Sequence, residues 1–267
     1  MHPMLNIAIQ AARAAGKIIL RFEDQMDKVS ISEKNQNDLV TQVDHMSEET
    51  IIEHIKKAYP HHTILAEESG IHKGKKEAEP SDYCWIIDPL DGTKNFVHGF
   101  PHYCVSIALM HKNALTLAAV YDPIRQDLFT ATKGQGAYLN SRRIRVSQTK
   151  KLEHALIGTG FPFRDKQHLK PYLNTFQTIF PRASDIRRAG AAALDLAYVA
   201  AGKLDGFWEA SLRPWDMAAG VLLIKEAGGM VSDFQNEGNF LDSGNIIAGN
   251  LRVHKELTSL VQQSLQE

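Results

Sequence analysis

The sequence has few cysteines and lacks long apolar runs. Only 2 of its 267 residues are cysteines, Cys84 and Cys104, and apolar residues flank both. We interpret them as small buried side chains in a reducing compartment and predict no disulfide, because their spacing matches neither a metal motif nor a redox motif. Since no apolar run approaches the roughly 20 residues of a membrane span, and charged residues interrupt the N-terminal segment, we expect a cytoplasmic protein without a membrane partner.

An excess of charge of either sign is also absent. The 30 lysines and arginines nearly balance the 31 aspartates and glutamates, which leaves a formal net charge of −1. Interspersed charges favour neither a nucleic-acid surface nor a membrane-binding surface. The 12 histidines lack metal-ligand spacing, so none is assigned a catalytic role, and His61 and His62 are interpreted as solvated loop residues.

The first part of the chain shows helical periodicity. Apolar residues predict an amphipathic helix over 3–22 with a packing role. The segment 38–43 is expected to be extended, and a helix is predicted over 44–59 with Asp44 at its N-cap. The charged segment 72–82 is interpreted as a solvated loop, with a flap over a substrate as the alternative.

After residue 103 short strands give way to alternating strands and helices. Apolar runs separated by turn residues predict an antiparallel meander with strands at 105–110, 115–121, 128–132 and 143–146. Further along, strands are predicted at 155–159, 204–209, 230–234 and 246–248, and helices at 169–180, 191–201, 214–227 and 250–265. We therefore predict an α/β fold in a single domain over 1–267, with an α+β half at 1–150 and an α/β half at 151–267.

The stretch 85–96 carries the first chemical signal. It begins as the end of a buried strand, which Pro89 and Gly92 are expected to break. Asp88 and Asp91 then converge across a tight turn, where two unpaired carboxylates need a cation. Oxygen ligands without histidine or cysteine favour Mg²⁺ or Mn²⁺ over zinc. The alternative is a simple turn, since Asp, Pro and Gly are common turn residues.

Two other elements deliver carboxylates at their ends. Glu67 follows a strand-like run at 63–65, and Asp216 opens the helix predicted at 214–227. With Asp88 and Asp91 they form a cluster of four acids that has no arginine motif nearby. Together with a phosphate dianion their charge is about −6, which about three divalent ions would offset. The pattern therefore favours phosphoryl transfer.

A hydroxyl and further carboxylates are candidates for handling the attacking water. A metal ion lowers the pKa of bound water, so a nearby group need only orient the water and accept a proton. Glu67 and Thr93 are our candidates, with Asp44 in support. The backbone N–H groups of Gly92 and Thr93, ahead of a possible helix start at Asn95, offer an anion cradle.

These motifs together resemble the inositol monophosphatase family, and its bacterial SuhB-type members most closely. The resemblance rests on the run WIIDPLDGTKNFVHGFP at 85–101, Glu67-Glu68-Ser69, 38–41 with Asp44, and the segments 215–220 and 226–229, in the same order over nearly the whole chain. It implies a layered αβαβα sandwich of the inositol monophosphatase and fructose-1,6-bisphosphatase type.

The resemblance also implies a ligand set for two to three Mg²⁺ ions, with Mn²⁺ as a substitute. Asp88 would bridge two ions. Glu67 and the carbonyl of Leu90 would complete one ion, and Asp91 with Asp216 the other.

Substrate contacts follow from the same resemblance. Glu209 aligns with a residue that binds an inositol hydroxyl, Ala192 aligns with a backbone contact, and Asp91 can also accept a hydroxyl. A purely structural role is the alternative for Glu209 and Ala192. Lys94 stands where threonine is frequent and Ala191 where a hydroxyl residue is frequent, which leaves substrate specificity open.

The expected activity is Mg²⁺-dependent hydrolysis of myo-inositol 1-phosphate and related polyol phosphates by a lithium-sensitive homodimer. Alternative substrates are histidinol phosphate, fructose 1,6-bisphosphate and a nucleotide 3′-phosphate. Another class of function is a binding role in RNA transcription or processing, as proposed for SuhB-type relatives. Arg187 and Arg188 face either a partner or a phosphate.

Overall fold

The computed structural model describes residues 2–23, 25, 29–35, 38–74, 81–162 and 166–265. The first half of the chain contains α1 (Pro3–Glu23), β1 (Ile31–Asn35), β2 (Asp38–Thr41), α2 (Gln42–Ala58), β3 (Thr63–Ala66), β4 (Gly70–His72), β5 (Tyr83–Asp91), α3 (Thr93–Val97), β6 (Cys104–His111), β7 (Ala114–Asp122), β8 (Asp127–Thr132), β9 (Gly136–Leu139) and β10 (Arg142–Arg143). The second half contains β11 (Leu156–Thr159), α4 (Leu169–Ile179), β12 (Asp185–Arg187), α5 (Ala192–Ala200), β13 (Gly206–Glu209), α6 (Pro214–Glu226), β14 (Met230–Ser232), α7 (Phe240–Ser243), β15 (Ile246–Gly249) and α8 (Leu251–Ser264).

The larger sheet has eight strands in the order β10-β9-β8-β7-β6-β5-β3-β4. Its strands pair antiparallel except for β3 and β5, which run parallel. One face, which includes Trp85 and Ile87, packs against α1 and α2 through residues such as Ile19 and Ile51. Because side chains alternate along a strand, Ile86 points to the opposite face and joins a second core.

The smaller sheet has five strands in the order β12-β11-β13-β15-β14. Phe207 of β13 packs with α5 and α6, while the next residue, Trp208, packs with α4 and α8. Helices α5 and α6 therefore lie between the two sheets, and each fully buried large side chain contributes about 1.5–3 kcal/mol. The resulting helix, sheet, helix, sheet, helix order confirms the predicted layered α/β fold.

The prediction of β5 was wrong at its end. Pro89 does not stop the strand, which continues to Asp91 with an irregular register between Asp88 and Asp91. The N-cap of α2 is Thr41, and Asp44 is the third residue of that helix. Helix α3 begins at Thr93, two residues before the start predicted at Asn95.

Other differences concern short elements and one histidine. Strands β1, β4, β9 and β12 and helix α7 were not predicted, and the strand predicted at 143–146 is replaced by the two-residue strand β10 at Arg142–Arg143. His62 is buried between Tyr59 and Tyr83, with ring centroids 4.8 and 4.6 Å away, so its interpretation as a solvated residue was wrong.

Several expectations concern the chain as a whole. Cys84 and Cys104 are free thiols. No helix within the described residues is long and apolar enough to cross a membrane. Residues 75–80 of the predicted loop lie outside the described residues. The single domain with a division near 150 stays a prediction.

Candidate active site

The end of β5 brings two carboxylates to one side of the larger sheet. Asp88 pairs with Ser106 of β6 and Asp91 pairs with Cys104, so three steps along β5 correspond to two along β6. Such a bulge cancels the alternation that would otherwise place Asp88 and Asp91 on opposite faces. Gly92 then turns the chain with a φ of 95°, and a Cβ there would lie 3.0 Å from the carbonyl oxygen of His102.

The third carboxylate comes from the start of α6. Asp216 accepts a hydrogen bond from the backbone N–H of Arg213 at 2.7 Å, which caps the helix. Carboxylate oxygens of Asp88, Asp91 and Asp216 lie within 4.8 Å of one another. These are three of the four acids that the sequence assigned to one cluster, and the fourth, Glu67, lies close enough to act on Asp88.

Burial and mutual repulsion dominate the electrostatics of this cluster. Burial raises the pKa of Asp88 well above its usual value, and the charges of Glu67, Asp91 and Asp216 raise that pKa further. Burial and the charge of Asp216 raise the pKa of Asp91. The backbone N–H of Ala193, which donates to Asp91 Oδ2 at 2.7 Å, partly offsets this rise. Hard oxygen donors that repel one another in a buried site fit a divalent ion such as Mg²⁺ or Mn²⁺.

Glu67 reaches the cluster from the neighbouring strand. Ala66, the last residue of β3, pairs with Ile87 of the parallel strand β5, so Glu67, just after β3, and Asp88, still within β5, lie side by side. The N–H of Glu67 donates to the carbonyl of Ile87 at 3.2 Å. The parallel pairing explains why acids 21 positions apart in the sequence, at 67 and 88, are neighbours in space.

Asp44 holds Thr93 and does not line the cavity. The Thr93 hydroxyl lies 2.8 Å from Asp44 Oδ1 and 3.0 Å from the Leu90 carbonyl. Asp44 Oδ2 accepts hydrogen bonds from the N–H and hydroxyl of Thr41, at 2.8 and 2.6 Å. Asp44 is fully buried, so its contact with the site passes through Thr93.

A cavity of about 100 Å³ lies in front of the cluster. Every predicted site residue other than Asp44 lines it: Glu67, Asp88, Leu90, Asp91, Gly92, Thr93, Ala192, Glu209 and Asp216. Glu209 is buried at the end of β13, and burial together with Asp216 raises its pKa well above the usual value. A Cβ on Gly160 would overlap the Glu209 carboxylate, so any larger residue there would displace that carboxylate from its present position.

The sequence left the two arginines unassigned, and the structure separates them. Arg188 lines the cavity, where its charge opposes the rise in the pKa of Glu209, and its Cζ lies 5.1 Å from the centroid of the Phe161 ring. Arg187 instead pairs with Asp185 at 2.5 Å on the surface. The expectation of a cluster without a nearby arginine therefore needs correction, because Arg188 shares its cavity.

Sequence reasoning also missed a buried pair behind the cluster. His102 Nε2 lies 3.1 Å from Asp195 Oδ1, and Asp195 lines the cavity. His102 contacts α5, whose residue Ala193 donates to Asp91. The available signal was Asp195 itself, the one charged residue in the apolar run 191–201.

Comparisons with known proteins identify the family of this chain. The model of the inositol monophosphatase family matches residues 1–267. The chain is 54% identical over 267 residues to the Nus factor SuhB of Pseudomonas aeruginosa, covering 99% of this chain and 98% of that protein. The crystal structure of the extragenic suppressor protein suhB from Bartonella henselae is 41% identical, has a TM-score of 0.94, and covers 98% of this chain and 99% of its own. The inositol monophosphatase from Anabaena (Nostoc) sp. PCC 7120 is 36% identical with a TM-score of 0.84, covering 97% and 95%. These similarities confirm the resemblance seen in the sequence.

Proposed function

Since this chain belongs to the inositol monophosphatase family, we propose that it is a Mg²⁺-dependent phosphomonoesterase that hydrolyses myo-inositol 1-phosphate and related small polyol phosphates. The observation that carries the proposal is the set of three acids formed by the buried Asp88 and Asp216 and the half-buried Asp91, whose oxygens lie within 4.8 Å of one another at the wall of a cavity. Buried like charges at this distance are costly unless cations neutralise them.

The residues that would hold two to three Mg²⁺ ions, or Mn²⁺ as a substitute, are Glu67, Asp88, the Leu90 carbonyl, Asp91 and Asp216. When bound, the ions would neutralise charge on the phosphoryl oxygens and lower the pKa of the attacking water.

Thr93 and Glu67 are suited to hold that water. The Thr93 hydroxyl has a single proton, which it donates towards Asp44 or the Leu90 carbonyl, so its lone pairs remain to accept a hydrogen bond from water. Asp44 fixes this orientation from a fully buried position. Glu67, beside Asp88 at the cavity wall, is our candidate for the proton acceptor.

Other groups on the cavity wall are suited to the rest of the substrate. Gly92 and Thr93 line the cavity, and we propose that their backbone N–H groups bind the phosphate oxygens. We propose that the carboxylates of Asp91 and Glu209 accept hydrogen bonds from polyol hydroxyls, with Ala192 as a backbone contact. The Arg188 charge favours the ionised, accepting form of Glu209.

The test is phosphate release from inositol 1-phosphate, histidinol phosphate, fructose 1,6-bisphosphate and a nucleoside 3′-phosphate over a range of Mg²⁺ concentrations. We expect inositol 1-phosphate to be hydrolysed fastest and Asp216→Asn to lower the rate about 10³-fold, because a metal ion contributes several kcal/mol to transition-state stabilisation. Asp242→Asn, at an exposed acid of α7, is the matched control with an unchanged rate.

No release from any ester by folded wild-type protein would overturn the proposal. Faster release from another ester would replace inositol 1-phosphate by that ester and leave the phosphatase assignment intact. We also propose that the protein acts in the cytoplasm, forms a homodimer and is inhibited by Li⁺. The phosphate-release assay with added Li⁺ tests the inhibition, and the molecular mass measured in solution tests the homodimer. Cell fractionation tests the compartment.

A second proposed function is a binding role in transcription. It is supported by the Nus factor SuhB of Pseudomonas aeruginosa, which is 54% identical to this chain. The intact acid cluster favours catalysis alongside that role. An Asp88→Asn protein that no longer binds the metal but still supports the cellular transcription phenotype would separate the two roles. If this variant does not support the phenotype, a role in binding alone is ruled out.

A further inference from the structure

Glu67 lies in a short turn whose backbone needs an external anchor. The turn 67–69 joins β3 to β4, with Ala66 and Gly70 paired across its base. Gly70 has a φ of 75°, which closes the hairpin after three residues. The N–H groups of a tight turn point out of the ladder, so each requires a partner from elsewhere in the fold.

Glu48 of α2 supplies both partners. Its Oε2 accepts the N–H of Glu68 at 2.7 Å, and its Oε1 accepts the N–H of Ser69 at 2.9 Å. Glu48 is only 3% exposed, whereas Glu68 is half-buried and Ser69 is exposed, so the accepting carboxylate is shielded from water and the turn itself is not. Hydrogen bonds to an ionised acceptor are short and about twice as strong as neutral ones. Glu48 therefore ties the turn that carries Glu67 to helix α2.

Asp44 anchors the segment that follows the neighbouring strand β5 in the same way. It lies four residues before Glu48, on the same face of α2, and accepts the Thr93 hydroxyl at 2.8 Å. One helix thus holds the ends of two adjacent parallel strands, β3 through Glu48 and β5 through Asp44.

We propose that Glu48 is a positioning residue, which fixes the turn 67–69 so that the Glu67 carboxylate meets Asp88 at the divalent-cation site. This proposal rests on the proposed function, in which Glu67 is a metal ligand. Glutamine in place of Glu48 would present an NH₂ group to one of the two backbone N–H donors, so one bond is lost and the turn loosens.

The experiment compares Glu48→Gln with Glu49→Gln, which changes the exposed neighbour on the same helix. In metal-free protein, we expect amide hydrogen exchange at 68 and 69 to accelerate in Glu48→Gln only. Titration with Mn²⁺ alone, by calorimetry or electron paramagnetic resonance, should show a loss of affinity of about 10-fold to 100-fold, the usual cost of removing a partner of a metal ligand.

Kinetics separates positioning from general destabilisation. We expect Glu48→Gln to raise the Mg²⁺ concentration for half-maximal activity and to lower kcat at saturating Mg²⁺, because the displaced Glu67 is both a metal ligand and the proposed proton acceptor, while the KM for the substrate stays within about twofold of the wild type. Unchanged Mn²⁺ affinity, or a raised KM with an unchanged Mg²⁺ requirement, would overturn the proposal. If Glu48→Gln fails to fold, Glu48→Asp takes its place, because it keeps both oxygens but is too short to reach both N–H groups.

Mn²⁺ binding without hydrolysis by the wild type would refute the phosphatase assignment and still leave the comparison of Mn²⁺ affinities decisive.

Discussion

Two groups of buried carboxylates in this protein differ in what they face. In the first group, both carboxylate oxygens accept hydrogen bonds from protein donors. Asp44 accepts from Thr41 and Thr93. Glu48 accepts from the turn 67–69, and Asp122 accepts from Arg125. Asp88, the half-buried Asp91 and Asp216 each accept a backbone N–H, from Leu90, Ala193 and Arg213 respectively, and their carboxylate oxygens converge to within 4.8 Å of one another.

The difference separates anchors from ligands. A carboxylate whose lone pairs are filled by donors is stable where it is and holds other segments in place. A carboxylate that faces like charges in a cavity is destabilised by their repulsion, and a bound cation relieves this repulsion. Burial alone does not distinguish the groups, because Asp44 and Asp88 are 0% and 1% exposed.

Among the anchors, we expect the largest loss of activity at Asp44, which contacts Thr93 at the site. Asp44→Asn would place an NH₂ group against Thr93 or Thr41 and turn the Thr93 hydroxyl away from the water it holds. We expect kcat to fall about 100-fold, within the usual range for a group that orients proton transfer, with little change in KM for the substrate. Steady-state kinetics at saturating Mg²⁺ measures this split.

Thr93→Ser, which keeps the hydroxyl, and Glu49→Gln are the controls for that change, and both should retain most activity. A higher KM with unchanged kcat in Asp44→Asn would instead place Asp44 in substrate binding.

A smaller effect of pH is expected from buried bases. Burial lowers the pKa of His254, and burial with the charge of His61 lowers the pKa of His62, which accepts the Trp85 indole N–H at 3.1 Å. Because the unfolded chain binds these protons more readily, their contribution to stability is present above about pH 6.5 and is lost as the pH falls below that value.

Each of these two histidines should therefore lower the free energy of unfolding as the pH falls from 7.5 to 5.5, by less than the ~1.4 kcal/mol per pH unit that one proton allows, as denaturant unfolding would measure. His62→Gln should reduce this slope, and His45→Gln, at an exposed histidine of α2, should leave it unchanged. Equal slopes in all three proteins would contradict the assignment to His62.

The layers of the fold were predictable because the signals were periodic. The helix at 3–22, the meander after 103 and the elements after 150 each repeat apolar positions over several turns or strands, and the structure has them within a few residues. The short elements β1, β12 and α7 are three to five residues long, and their existence depends on pairing or packing with distant segments.

At the site, residue types were predictable and their arrangement was not. Asp88 and Asp91 were correctly placed on one side, but the cause is a bulge within β5 where a break was predicted at Pro89. Local sequence does not reveal a bulge, because it depends on the register with β6. Arg188 was left between a partner-facing and a phosphate-facing role, and the His102–Asp195 pair was missed because the two residues lie 93 positions apart in the sequence.

The contrast between anchors and ligands is tested most directly by thermal unfolding of Asp88→Asn and Asp122→Asn in chelator and in saturating Mg²⁺. We expect Mg²⁺ to stabilise the wild type, by about 2.7 kcal/mol at 100 times the dissociation constant. Asp88→Asn should be more stable than the wild type in chelator, because repulsion is relieved, and should respond little to Mg²⁺. Asp122→Asn should be less stable in both conditions and keep the full Mg²⁺ response. An Asp88→Asn protein that is destabilised in chelator as much as Asp122→Asn, and that still gains the full Mg²⁺ stabilisation, would contradict the assignment of this cluster as the divalent-cation site.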